Sequence, residues 1–303
     1  MPGWLVYSQD NYDGNRWFAE RLSAMAAEEG IDLDLKLVSG DRRLPSGRLP
    51  GFAVMRAICP GLSAKLEAKG VRVFNNAETA RVANDKWETF LLARELGIPV
   101  LDTGRFTLTE CGSVRFPCVV KSLDGHGGSE VFFVRDASEL FSATASMFVA
   151  DKGGPRSCAA SFVADKGGPR SCAALCKSAF IAQPLCDEPG IDMRLYMLGG
   201  EAIAAVRRTS KTDFRSNFKL GGEVANVEVP PDAAEMARRL YDRLKFDFAG
   251  VDFIRDGGRW IFNEIEDVVG TRMLYATTAL DAAKLLMRHA AREAGGKVRA
   301  LQQ

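Results

Sequence analysis

Glu264, Glu266 and Asp267 stand close together in IFNEIEDVV, among apolar residues suited to burial. Carboxylates left unpaired in such a place are costly, so a positive partner is expected. Glu264 and Glu266 are two apart, which puts both on one face of a regular strand. VDFIR, carrying Asp252, and WIFNEIE read as consecutive strands joined through Asp256, Gly257, Gly258 and Arg259. A three-residue loop at 257–259 would set Asp252 opposite Glu264, whereas a two-residue loop at 257–258 would turn Asp252 to the other face. Converging, Asp252, Glu264 and Glu266 would form a hard, oxygen-only cation site. Mg2+ suits it, because that ion takes a few carboxylates and completes its shell with phosphate oxygens. The competing reading pairs these acids with arginines such as Arg272 or Arg207.

A phosphate would need cations of its own. Lys86 opens a helical pattern and Lys121 ends the strand-like PCVVK. Lysine is a mobile point charge suited to phosphate oxygens, though either one alone reads first as a solvated surface charge. Directly after Lys121 comes SLDGHGGSE, whose glycines let backbone amides approach a phosphate. A bare G-x-G-G is usually only a turn, and His126 within it reads as facing solvent, with a phosphate contact as the alternative. Farther on, DMRLYMLGGEAIAAVRRTSKTDFRSNFKLGG carries Asp192, Arg194, Arg207, Arg208, Lys211, Arg215, Asn217 and Lys219. Cations on adjacent strands facing an acidic metal site would hold anionic oxygens between them. The plain alternative is a charged, solvated sheet face.

The elements that must position these residues follow from patterning. WLVYS reads as a buried strand, QDNYDGN as a polar loop, and residues 16–29 as a helix closed by Gly30. IDLDLKLV, FAVMR, a helix near 61–69 and VRVF complete a β-α-β-β-α-β unit, a small open α/β domain up to about residue 80. Asn84 is the expected N-cap of a helix over DKWETFLLAREL. RFTLT, FPCVVKSL, AFIAQPL, DMRLYMLGG and EAIAAVRRT read as strands, residues 232–244 as a helix, and 276–294 as the last helix. FVADKGGPRSCAAS at 148–161 recurs at 162–175 with 13 of 14 residues identical, a tandem duplication read as a tolerated surface insertion.

With 303 residues, 47% hydrophobic and 26% charged, the chain has the composition of a globular protein of two or three subdomains. Its 40 basic and 39 acidic residues leave a net charge of +1, which gives no reason to expect nucleic acid or an anionic membrane as partner. No signal peptide or membrane span is visible, and seven scattered cysteines suit reduced thiols, so a cytoplasmic location is expected. Two histidines make a zinc site a poor fit, and no Ser-His-Asp or Cys-His nucleophile is evident.

Taken in order, NDKWETFLLARELGIPVLDT, FPCVVKSLDGHGGSEV, IDMRLYMLGGEAIAAVRR, DFRSNFKLGG and GVDFIRDGGRWIFNEIE resemble the ATP-grasp superfamily, in its RimK-like branch of carboxylate–amine ligases. Each motif is weak alone; five in the right order are specific, and the resemblance covers roughly residues 1–290. It implies an α/β (α+β) fold: an N-terminal domain (1–80), a central lid (81–182) and a C-terminal antiparallel-sheet domain (183–303), with ATP gripped between two antiparallel sheets. It implies phosphate contacts from Lys86 and Lys121, an adenine-reading linker at Gln183–Cys186 and Asp192 near the nucleotide. Arg208, Arg215 and Asn217 fall where phosphate and acyl groups are handled, and Asp252 and Glu264 where magnesium is held. Two departures stand out. The branch commonly has asparagine where this chain has Glu266, and Gln183 is followed by Pro184, which has no amide to offer adenine, leaving the amide of Leu185 to serve.

Asp267 is left to cap the next turn or to pair with Arg272. Arg56 and QDNYDGN face the expected cleft, where Arg56 would grip a substrate carboxylate or pair with a structural acid. The expected partners are a carboxylate and an amine, either amino acid, peptide or small metabolite. Oligomeric state is not written in the sequence, and a homo-oligomer fits as well as a monomer. A hydroxyl-directed phosphotransferase and a non-catalytic ATP-binding regulator are the alternatives.

Overall fold

The computed structural model describes residues 1–39, 44–149, 179–215 and 222–300. Asn217, Lys219 and the duplication beyond residue 149 lie outside the described residues.

β1 (Pro2–Ser8), β2 (Asp32–Val38), β3 (Phe52–Arg56) and β4 (Arg72–Phe74) form a parallel sheet in the order β2-β1-β3-β4. β1 and β3 are buried along nearly their whole length, as the apolar runs WLVY and FAVM require of strands covered on both faces. α1 (Gln9–Glu28) and α2 (Pro60–Glu67) supply that cover. QDNYDGN is not a loop: Ser8 caps α1 by accepting from the Asn11 amide, and the helix begins at Gln9. Its kink at Asn15 (φ −137°), directly after Gly14, is the local break that gives the stretch its loop-like composition.

Two antiparallel sheets follow. The smaller contains β5 (Gly104–Thr107), β6 (Cys118–Ser122), β7 (Val131–Val134) and β8 (Ala179–Gln183) in the order β5-β8-β6-β7, with α5 (Ala137–Val149) packed on it. The larger contains β9 (Ile191–Leu198), β10 (Glu201–Thr209), β11 (Glu223–Val227), β12 (Phe248–Asp256) and β13 (Arg259–Glu266) in the order β11-β10-β9-β12-β13.

The larger sheet has two differently used faces. Met193, Leu195, Met197, Ala205 and Phe253 enter a core with α6 (Pro231–Leu244), α3 (Ala77–Ala83) and α4 (Lys86–Glu95). Thus α4 and the end of α3, which fall inside the expected 81–182 lid, pack on the larger sheet instead. On the other face Tyr196, Ala204 and Val206 join α1 and α8 (Ala282–Ala300), linking this sheet to the N-terminal domain. α4 is capped by Asp85, which accepts from the Trp87 and Glu88 amides, and not by Asn84. Asn84 instead closes α3, donating to Ala80 O. The last helical region divides into α7 (Arg272–Thr277) and α8. Among the described residues no helix is long and apolar enough to cross a membrane.

Candidate active site

The face of β9 that carries Tyr196 turns from apolar to charged within two residues. Arg194, on that face, lies in register beside Asp252 on β12, and Asp252 lies opposite Glu264 on β13. Two residues farther along, Asp192 lies beside Arg208 on β10. Alternation of period two is what brings these groups to one side, and it carries Arg207 to an exposed position on the other.

The Asp252–Glu264 pairing arises by a route that neither loop reading anticipates. Asp256 pairs with Arg259 around a two-residue turn in which Gly257 (φ 56°) and Gly258 (φ 72°) take left-handed conformations open to glycine. That turn alone would face Asp252 the wrong way. Between the Phe253–Phe262 and Asp252–Glu264 pairs, however, the register slips, and Asn263 is the extra residue. The bulge restores Asp252 to the face of Glu264 and Glu266. It also aims Asn263 across the cleft, where its Oδ1 accepts from Lys121 Nζ at 3.0 Å. Bulges beside active sites commonly re-aim a side chain in this way.

The positive partners of the acids are first of all arginines of neighbouring strands. Arg194 donates to both Asp252 oxygens at 2.7 Å and also to Glu266. Arg208 donates to Asp252 Oδ2 at 2.8 Å and to Asp192. Asp252 is 1% exposed. Burial alone would raise its carboxyl, but the two guanidinium groups hold it below the usual carboxylate range. Glu266 is pushed up by burial and by the nearby Asp252 and Glu264, with Arg194 opposing. These are not the arginines expected from sequence: Arg272 donates to Gly14 O at 2.6 Å. Asp267 neither caps the next turn nor meets Arg272. It is buried and accepts from Asn75 Nδ2 at 2.8 Å and Asn84 Nδ2 at 3.2 Å.

A cleft with about 860 Å³ of free space, partly open to solvent, separates this charged face from the smaller sheet. It is lined by Lys86, Lys121, Gln183, Leu185 and Asp192 of the expected nucleotide residues, by Arg208 and Arg215, and by Glu264 and Glu266. Asp252 lies beneath the lining, and Asn217 is outside the described residues. His126 is exposed and not part of the cleft wall, and Arg56 is buried elsewhere, donating to Val269 O at 2.8 Å and lying over the Phe18 ring.

Cations cross the cleft in three places. Besides Lys121–Asn263, Lys86 donates to Gly125 O and lies 3.9 Å from Glu264. Arg215, paired with Asp213, donates to Gly128 O at 3.0 Å and Val131 O at 3.4 Å. Burial lowers the Lys121 ammonium to about 8; Glu264 and Cys186 counter this, and Lys86 adds to it.

A divalent cation fits part of this set. Glu264 and Glu266 face the cleft with side chains 37% and 30% exposed, and both present oxygen donors beside the phosphate-competent lysines. Asp252 differs, because guanidinium groups already take both of its oxygens. Among the described residues no three His, Cys, Asp or Glu side chains converge on one point. The missing third member has a physical cause: a carboxylate buried this deeply between two arginines is their counter-ion.

Residues 167–290 match the family model of the RimK-like ATP-grasp domain. A probable alpha-L-glutamate ligase of Parasynechococcus marenigrum (strain WH8102) is 25% identical over 241 residues, covering 77% of this chain and 46% of that protein. This chain therefore spans about half the length of that relative. A RimK-domain ATP-grasp protein from Sphaerobacter thermophilus DSM 20745 superposes with a TM-score of 0.68 at 19% identity, over 95% of this chain and 99% of the other. The ATP-grasp ligase PsnB, solved with a minimal precursor, Mg and ADP, gives a TM-score of 0.61 at 14% identity over 96% of each chain. The pair of antiparallel sheets and the superposition on these solved structures show that the chain has the fold of ATP-grasp proteins, and residues 167–290 are similar in sequence to the RimK-like domain of that fold.

Proposed function

We propose that this chain is an ATP-dependent carboxylate–amine ligase, working through an acylphosphate. The observation that supports it is a cleft in which Lys121 of the smaller sheet and Lys86, at the start of α4, meet Glu264, Glu266 and Arg208 of the larger sheet. A substrate carboxylate oxygen attacks the γ-phosphorus and ADP leaves. The nitrogen of an amine then attacks the acyl carbon, and phosphate leaves with the bonding pair. Lys86 and Lys121 hold phosphate oxygens, Arg208 and Arg215 orient the transferring group, and the Gln183–Cys186 segment receives adenine through the Leu185 amide. Glu264 and Glu266 would hold Mg2+, which when bound neutralises phosphate oxygens. The protein residues orient and stabilise, and none forms a covalent bond with substrate. In this reading residues 1–80 supply the substrate side, the smaller sheet is the lid and the larger sheet the floor.

The test is chemical. The protein, MgATP and pooled carboxylates and amines are screened for phosphate release, and an active carboxylate is then supplied with hydroxylamine in place of its amine. An electrophilic acylphosphate gives a hydroxamate. ADP formed together with a stable phosphorylated alcohol, and no hydroxamate, would instead make the protein a phosphotransferase.

A further inference from the structure

Lys121 and Asn263 belong to different sheets, and their 3.0 Å contact is a direct hydrogen bond between the two walls of the cleft. We propose that Asn263 is a positioning residue that directs the Lys121 ammonium at the nucleotide phosphates, with the β13 bulge as the device that delivers it. This rests on the nucleotide reading of the cleft.

Three observations converge on it. Asn263 is the unpaired residue of the bulge, so its side chain is freed from the strict in–out alternation of β13. Lys121 is 9% exposed, so its ammonium has little water to solvate it and depends on protein acceptors. Finally, an amide oxygen accepts one ammonium N–H without neutralising the charge, leaving two donors for phosphate oxygens. A carboxylate at the same place would form an ion pair and compete with phosphate. The charged and titratable groups around Lys121 are Lys86 from α4, Glu264 from β13 and Cys186 from the segment after β8. Asn263, which carries no charge, is the acceptor hydrogen-bonded to the Lys121 nitrogen.

The proposal makes opposite predictions for two substitutions. Asn263→Leu removes the acceptor, and the Lys121 titration midpoint should fall below its value in the unmodified protein. Asn263→Asp keeps the shape and adds a charge, and the midpoint should rise above it. Both are read directly by competitive acetylation with acetic anhydride over a pH series, with the modified Lys121 peptide quantified by mass spectrometry. ADP affinity, measured by calorimetry near neutral pH, should weaken about tenfold in Asn263→Leu, the scale of one hydrogen bond to a charged group. If Lys121 titrates identically in all three proteins, the positioning role is wrong. If the unmodified protein binds no ADP, the nucleotide reading fails, a result the labelling midpoints do not depend on. Should Asn263→Leu fail to fold, the near-isosteric Asn263→Asp carries the labelling test alone.

Discussion

Arg194 crosses its sheet directly over Gly250: a Cβ built on that glycine would lie 3.1 Å from Arg194 Cδ and 3.2 Å from Nε. The path matters because Arg194 must pass that point to reach Glu266 while still gripping Asp252. A side chain at position 250 would also meet Val269 Cγ2 at 2.8 Å, in the segment just after Glu266.

Gly250→Ala is therefore expected to displace either Arg194 or the 266–270 turn. Overpacking of this kind costs about 1–3 kcal/mol. Chemical denaturation measures that loss, and the ADP-forming rate should fall by more than the stability change alone explains, because Glu266 loses its guanidinium partner. An alanine variant with unchanged stability and turnover would show that the crossing is loosely packed.

The two carboxylates that face each other across the hairpin should answer to mutation in opposite ways. Asp252 is the counter-ion of two buried arginines, so Asp252→Asn should destabilise by about 3–5 kcal/mol, the usual cost of breaking a buried pair. Glu264 has a side chain 37% exposed, with Lys86 at 3.9 Å. Glu264→Gln should leave stability within about 0.5 kcal/mol while abolishing magnesium-dependent turnover. Thermal midpoints of the two variants, measured side by side, decide the matter. Equal midpoints would mean that Asp252 has no special structural task.

The contrast also shows what a sequence can and cannot carry here. Period-two alternation in DMRLYML puts Asp192 and Arg194 on one face, but that Arg208 and not Arg207 joins them depends on the β9–β10 register, which the sequence does not state. Lys86 and Lys121 were legible from their places at a helix start and a strand end. The slip at Asn263 was not, because a bulge leaves no local pattern: the residue looks like any other step of the strand until the turn and the pairing are both known. Asp267 was opaque for a related reason. Its partners Asn75 and Asn84 are 192 and 183 residues away, and only the packing of the 75–84 segment against the larger sheet brings them near. The helix start at Gln9 was masked by Gly14 and Asn15, whose loop-like composition marks a kink within α1.

Arg215 offers the last test, because it joins the floor of the cleft to the glycine loop. Its guanidinium spends one side on Asp213, at 2.7 Å, and reaches the Gly128 and Val131 carbonyls with the other. Its hydrogen bonds also hold the Asp213 carboxyl below the ordinary range. A lysine there keeps the charge, but its three donors radiate from one nitrogen and cannot serve both sides of the fork at once. Arg215→Lys should thus free the loop from the floor. Limited proteolysis ought to show faster cleavage between β6 and β7, and added ADP should restore protection less fully than in the unmodified protein. Hydroxamate formation should fall at least tenfold, with ADP affinity changed much less, since Lys86 and Lys121 remain. If the loop is cut at the same rate in both proteins, the hydrogen bonds to Gly128 and Val131 do not hold it, and any loss of hydroxamate would then trace to the guanidinium's contact with the reacting group alone.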